Sequence, residues 1–219
     1  MILFHGSKVV IDKPLYGFGK PYNDYGPGFY CTEDIELAKE WACQDPAGGF
    51  VNTYEIDTAS LSVCELDDND VTAWISLLIS NRVLRYGSPI EKQGADHLIK
   101  FFKPDISKYD LITGYRADDS YFSYARAFLS NTISLEQLRE ALRFGNLGKQ
   151  VCLKSQRSFE KITFLESAPV LGSTYYPKRI DRDKEARDAY YRLLENNTAD
   201  GTYIRDIIAK ELKPDDLRI

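Results

Sequence analysis

The chain has 219 residues, with 28 basic and 33 acidic side chains, a formal net charge of −5 and 43% hydrophobic residues, the balance of one soluble globular domain that needs no disulfide or metal staple. No apolar run approaches the roughly 20 residues of a membrane span, and Met1-Ile2-Leu3-Phe4-His5 has no basic region leading into a long apolar stretch, so neither a membrane segment nor a secretory signal is expected. The acidic balance excludes a protein that coats nucleic acid through bulk charge.

Along the chain, a short apolar strand is predicted over residues 1–5 and a second over 28–32. A helix over 34–43 follows, with Thr32 or Asp34 as its cap. Strands over 51–56 and 62–66 precede a helix over 71–82, and a strand over 109–113 precedes helices over 119–129 and 135–144. Ser134 with Gln137 three residues on forms a capping box for the last of these. Strands over 150–154 and 161–166 come next. Two charged helices, about 181–196 and 202–212, close the chain, with Ala189, Leu193, Ile204 and Ile207 as apolar faces. The early order of strand, strand, helix, strand, strand is not a regular βαβ alternation, so the expected class is α+β with mostly antiparallel pairing. There is no Gly-x-Gly-x-x-Gly turn and no Walker A loop, which excludes Rossmann and P-loop readings. No repeat and no Gly/Ser/Pro linker divides the chain.

Cys31, Cys43, Cys64 and Cys152 form no Cys-x-x-Cys pair, and His5 and His97 are the only histidines. Structural zinc wants four ligands in close local pairs, so no metal is expected. Scattered thiols in a chain of this size read as small buried hydrophobes in a reducing compartment, by default the cytoplasm. The charge is uneven. Residues 31–72 carry 11 acids against one base, and residues 141–165 carry five bases against one acid. Differently solvated faces account for such runs, but the basic stretch also holds a site candidate.

Three segments carry the chemistry: Leu3-Phe4-His5-Gly6-Ser7, Asp24-Tyr25-Gly26-Pro27-Gly28-Phe29-Tyr30-Cys31-Thr32, and Gly148-Lys149-Gln150-Val151-Cys152-Leu153. Such parts suit a flat aromatic ligand bearing an amide. Gly6 lets backbone N–H and C=O groups approach a carboxamide with no Cβ in the way. Tyr30 can stack on a ring, with Trp41 on its other side. His5 can hydrogen-bond a ribose hydroxyl, and Ser7 can do the same or cap a turn. Each also has a plainer reading as a core aromatic or a satisfied strand residue.

At these residues the chain resembles the ADP-ribosyltransferase superfamily, in its diphtheria-toxin-like and poly(ADP-ribose)-polymerase-like branch, which carries a His–Tyr–Glu triad on three strands. Within that branch it is most similar to an uncharacterised bacterial family. Ala38-Lys39-Glu40-Trp41-Ala42, Val51-Asn52-Thr53-Tyr54-Glu55, Tyr115-Arg116-Ala117-Asp118-Asp119-Ser120-Tyr121-Phe122 and Gln150-Val151-Cys152-Leu153-Lys154 extend the likeness, which runs from about Ile2 to Glu166. The resemblance implies a split β-sandwich of two small antiparallel sheets with peripheral helices over residues 1–172, and a helical appendage over 173–219 packed on it. It also implies NAD as co-substrate, cleavage of the nicotinamide–ribose bond, and transfer of a single ADP-ribose to a protein or nucleic-acid acceptor. Toxin, antiviral-defence or effector roles, and an antitoxin or regulatory partner, go with it; an NAD-binding module or an NAD glycohydrolase on the same fold are the alternatives.

By the same likeness His5 binds the adenosine-side ribose, Gly6 holds the nicotinamide amide, Tyr30 stacks on nicotinamide and Trp41 flanks the ring. Gln150 stands where the triad has glutamate. It keeps the hydrogen bonds but lacks the charge, a loss worth on the order of 3 kcal/mol, or about a hundredfold in rate, which argues against chain polymerisation. Asp118 and Asp119 read either as a first-turn acid with its cap, Asp119 being the cap, or as a replacement carboxylate, Asp118 facing the pocket. Arg116 is placed to meet a pyrophosphate or to pair with one of these acids. Arg143, Lys149, Lys154, Arg157 and Lys161 flank Gln150 and suggest a groove for an acidic acceptor.

Overall fold

The computed structural model describes residues 1–117, 119–144, 148–195 and 200–217, with the Asp119 side chain outside that description. The fold is α+β, with two small sheets and eight helices among the described residues. The first sheet has the order β1 (Ile2–Ser7), β3 (Gly49–Ile56), β7 (Ile162–Val170), antiparallel throughout. The second has the order β2 (Phe29–Cys31), β6 (Lys149–Leu153), β5 (Leu111–Tyr115), β4 (Val63–Glu65). All seven predicted strands are present. The expectation of two antiparallel sheets is corrected at one pair: β4 runs parallel to β5. The reason is the crossover between them, which carries α2 (Val71–Asn81) and the unanticipated α3 (Pro89–Phe101) and brings the chain back in its original direction.

Leu3 and Ile56 of the first sheet meet Cys31, Leu111, Val151 and Leu153 of the second in one buried cluster. The largest cluster is helical and aromatic. Trp74 and Leu78 of α2, Leu98 of α3, and Tyr121, Tyr124 and Phe128 of α4 (Asp119–Leu129) cover the other face of the second sheet. A third cluster seats α1 (Ile35–Ala42) on the first sheet through Ala38, Ala42 and Val51. Asp34 caps α1 by accepting from the backbone N–H groups of Glu36 and Leu37, and Ser134 with Gln137 makes the expected capping box on α5 (Leu135–Ala141). α6 (Gln156–Glu160) is a short turn between β6 and β7. The four cysteines are free and buried, as their scatter suggested.

After β7 comes α7 (Gly172–Glu195), which starts nine residues earlier than predicted and carries Pro177 inside it; the predicted end at Asn196 lies outside the described residues. α7 packs against α1, α4 and α5, and α8 (Ile204–Ala209) packs on α3. Among the described residues no helix is long and apolar enough to cross a membrane.

Among the described residues, backbone hydrogen bonds join the two sheets at a single bridge, where the Phe4 N–H donates to the Thr32 carbonyl at 2.7 Å and the Thr32 N–H donates back at 2.9 Å. Alternation along β1 then turns residues 3, 5 and 7 to β3 for hydrogen bonding and leaves residues 2, 4 and 6 on the open edge. Continued by two residues, the bridge register sets Gly6 opposite Tyr30, but there the strands have parted. α1 lies so close that a Cβ at Gly6 would run into the Ala38 carbonyl oxygen and the Ala42 nitrogen. Gly6→Ala is therefore expected to lose about 2–3 kcal/mol by overpacking, lowering the thermal midpoint by about 5–10 °C. An unchanged midpoint in thermal denaturation would contradict this seating of α1 on β1.

Candidate functional site

Where β1 and β2 part, a cleft of about 720 Å³ opens. His5, Gly6, Ser7, Tyr30, Trp41, Arg116 and Gln150, all read as site residues from the sequence, line it together. Asp118, the candidate replacement acid, lies outside the described residues. Asp119, expected as a cap, is instead the first residue of α4.

His5 is held from β2. Its Nδ1 lies 2.7 Å from the Tyr30 carbonyl oxygen, which can only accept, so Nδ1 carries the hydrogen and Nε2 keeps its lone pair. Burial pulls the imidazole below its ordinary value of 6.5, with the bond to Tyr30 partly opposing, so the ring is neutral at pH 7. One residue on, the Gly6 N–H and C=O point from the open edge of β1 into the cleft, a donor and acceptor side by side. Ser7 donates its hydroxyl to the Val9 carbonyl at 2.5 Å and accepts from Asn52 Nδ2 at 2.9 Å, which is the turn-capping role.

Tyr30 and Gln150 share one face of the second sheet, because Tyr30 pairs with Cys152 and Gln150 lies two residues along the same strand. The Tyr30 hydroxyl donates to the Gly26 carbonyl at 2.6 Å and accepts from the Tyr25 N–H at 3.0 Å. Its proton is thus committed, and burial holds the phenol well above its ordinary range, so what Tyr30 offers the cleft is its ring. Trp41 forms part of the opposite wall, with the Arg116 guanidinium 4.5 Å over its ring centroid.

Gln150 is 3% exposed, and its amide nitrogen donates to Asp24 Oδ2 at 2.9 Å and to the Tyr115 carbonyl at 3.1 Å. Both partners only accept, which fixes the amide's orientation and leaves Oε1 as the part of it available to a ligand. The Tyr115 carbonyl also takes the Trp74 indole N–H at 3.0 Å and the Tyr25 hydroxyl at 2.8 Å. Among the described residues, Asp24, 4% exposed, is the acid that lines the cleft. Its Oδ1 accepts from Arg82 Nη2 at 2.5 Å and Nε at 3.0 Å, and its Oδ2 from the Ala117 N–H at 2.9 Å besides Gln150. Sequence reasoning places Asp24 inside a motif without assigning it a role, and it passes over Arg82, whose partner is 58 residues away.

The loop from Lys8 to Asn23, which has no counterpart among the sequence motifs, also walls the cleft, with Phe18 83% exposed at its tip. Asn52 and Tyr54 of β3 pin its first half: Asn52 Oδ1 accepts from the Ile11 N–H at 2.9 Å, and the Tyr54 hydroxyl donates to the Ile11 carbonyl. Both residues stand in the motif Val51-Asn52-Thr53-Tyr54-Glu55, so position alone was the available signal.

Of the five bases flanking Gln150, Lys149 and Arg157 are exposed and the other three are engaged. Arg143 pairs with Asp68 at 2.6 Å, and Lys161 lies 3.9 Å from Asp57. Lys154 donates to the Tyr25 and Pro27 carbonyls at 2.7 and 2.6 Å, and burial lowers its affinity for a proton. The acidic and basic runs thus meet in part across the fold. No cluster of three or more potential metal ligands occurs among the described residues.

The chain belongs to the family described as "Protein of unknown function (DUF3990)", which matches residues 1–164. No curated protein and no solved structure matches it.

The hydrogen bonds around residue 150 require an amide. In Gln150→Glu a carboxylate would face two acceptors, so burial and Asp24 would raise its pKa and it would fold best protonated. That cost appears as pH rises above the unfolded glutamate value of about 4.3. The variant is expected to be destabilised by about 3 kcal/mol at pH 8, and distinctly less at pH 5. Adding Asp24→Asn restores a donor–acceptor pair and should recover part of the loss. Urea unfolding of the three proteins at both pH values checks this; equal losses at the two would refute it.

Proposed function

We propose that this member of the family cleaves the nicotinamide–ribose bond of NAD and transfers a single ADP-ribose unit to a macromolecular acceptor. The observation that supports this most is the parting of β1 from β2, where the open Gly6 N–H and C=O pair and the ring of Tyr30 line one cleft with His5 and Gln150. A carboxamide needs one donor and one acceptor at close range, which an edge strand offers only where no side chain intrudes. Gly6 meets that condition. The Tyr30 ring supplies a stacking face, the neutral His5 Nε2 an acceptor for a ribose hydroxyl, and Arg116 a cation toward a pyrophosphate. A cleft of about 720 Å³ lies within the usual range of small-molecule sites.

When the glycosidic bond breaks, its electron pair leaves with nicotinamide and positive charge grows on the ribose. The Gln150 Oε1 dipole faces that charge. Its amide hydrogen is bound to a carboxylate, which polarises the amide toward the oxygen, so Asp24 acts through Gln150. Pairing of Asp24 with Arg82 tempers the field, in keeping with one transfer rather than chain growth. The same pairing favours a second reading, an NAD-binding module without turnover, and transfer to water is a third with the same chemistry. Four unbridged thiols support a reducing, cytoplasmic setting.

Incubation with NAD and cell lysate should release nicotinamide and label macromolecules. Tyr30→Ala, which removes the stacking face, should reduce nicotinamide release about a hundredfold, whereas Tyr30→Phe keeps the ring and should retain most of it if the loop around Gly26 stays folded. Release unaltered in Tyr30→Ala would refute the proposal. NAD affinity without any release would select the binding-module reading.

A further inference from the structure

The loop between β1 and β2 carries the dipeptide Lys-Pro twice, at Lys13-Pro14 and Lys20-Pro21. A residue before proline is pushed toward extended backbone, which keeps both lysines out of any helical turn. Both line the cleft. Each also sits beside a fixed point. Ile11, two residues before Lys13, is bonded to Asn52 and Tyr54 of β3. Gly19, just before Lys20, lies so close to Gly28 that a Cβ there would come within 2.3 Å of the Gly28 nitrogen. Between these points the Tyr16 ring meets Phe159 edge-on at 5.7 Å. The loop therefore presents its two ammonium groups from an anchored frame.

The other cations that line the cleft are engaged. Lys8 pairs with Asp45 at 2.7 Å, Arg82 holds Asp24, and Arg116 lies over the Trp41 ring and is further engaged. Lys13 and Lys20 differ. Both are exposed, and among the described residues neither makes an ion pair or a hydrogen bond. Asp24 cannot serve them, because its oxygens already accept from Arg82, the Ala117 N–H and Gln150. Two ammonium groups on one wall of a cavity, with no acid there to neutralise them, are complementary to a ligand that carries two adjacent anionic groups.

Resting on the NAD reading above, we propose that Lys13 and Lys20 hold the pyrophosphate of the dinucleotide and make the cleft selective for a diphosphate over an uncharged nucleoside. The pyrophosphate carries one negative charge on each phosphoryl group, and each lysine donates to one of them as a charge-assisted hydrogen bond. The lysines belong to the loop, whereas His5, Tyr30 and Gln150, the groups read as meeting the ribose and the ring, stand on the strands. They therefore act on binding of the dinucleotide alike in the ground state and in the transition state, which lowers KM and leaves kcat unchanged. They are positioning residues, and the breaking bond is left to the groups on the strands.

The test uses full-length protein, with ADP and adenosine as probes in calorimetry and NAD as substrate for nicotinamide release. Wild type should bind ADP at least about tenfold more tightly than adenosine, and Lys13→Ala with Lys20→Ala should lose most of that margin. The same pair should raise the NAD KM about tenfold or more while kcat stays within about twofold. Lys13→Arg with Lys20→Arg, which keeps the charge, should restore most of the KM. Lys92→Ala with Lys100→Ala on α3, which does not line the cleft, should change neither quantity. Failure of wild type to prefer ADP, an alanine pair with wild-type ADP affinity, or equal weakening in the α3 control would overturn the assignment. Nicotinamide release separates the two proposals. Lysine-dependent ADP binding in a protein that releases no nicotinamide would refute the cleavage reading alone. Release with a KM indifferent to both lysines would refute this assignment alone.

Discussion

A carboxylate buried at Asp24 ties the architecture together. Removing it from water is costly unless each oxygen finds donors, and here four donors come from three distant parts of the chain: Arg82 at the end of α2, the Ala117 backbone after β5, and Gln150 on β6. None of these segments can move far without leaving a buried charge uncompensated. The turn that carries Asp24 is held with equal thoroughness. Asn81 donates to the Asp24 carbonyl, Lys154 to those of Tyr25 and Pro27, and Tyr30 bonds both Tyr25 and Gly26. Gly26 takes a positive φ of 75° in that turn, where a side chain would be strained. The second sheet, the aromatic helical layer and the cleft wall therefore share one polar joint.

The cleft follows from how little the two sheets touch. One bridge at Phe4 and Thr32 joins them, and their shared apolar cluster supports it from beneath. Past the bridge, α1 presses on Gly6 from one side, and the Asp24 turn holds Tyr30 on the other. The edge of β1 is consequently left with backbone groups that no other strand takes. Open strand edges are usually blunted because they invite another chain. Here the opening is short, flanked by His5 and the pinned Lys8–Asn23 loop, and sized for a small molecule rather than a strand.

Much of this was legible because strand alternation and capping are local signals. All seven strands, the α1 cap and the α5 capping box depend on neighbours within a few residues, and His5, Gly6, Tyr30 and Gln150 were found through short segments. α3 was missed because its buried positions are only Gly94, Ala95 and Leu98, too small and few to mark a periodic face; Gly94 is there to admit Ile204. Ser88-Pro89 with Glu91 was the unused signal, a cap followed by proline at the first helical position. With α3 missing, the crossover that makes β4 and β5 parallel was invisible too. The early start of α7 was hidden by Pro177, which reads as a break.

Gln150 shows how far the surroundings of one candidate residue depend on partners remote in the chain. Compared with a glutamate it is short of one charge, for which the sequence offers Asp118 or Asp119, whose side chains lie outside the described residues. In the fold a carboxylate 126 residues away, Asp24, lies within one hydrogen bond of the amide. A glutamate at 150 would crowd three acceptors together, those of its own carboxylate, Asp24 and the Tyr115 carbonyl. The amide is the only side chain of that length that can donate to both partners and still present an oxygen to the cleft. Glutamine at this position is thus part of a set with Asp24, Arg82 and the triply accepting Tyr115 carbonyl, and any change in its chemistry has to be read through that whole set.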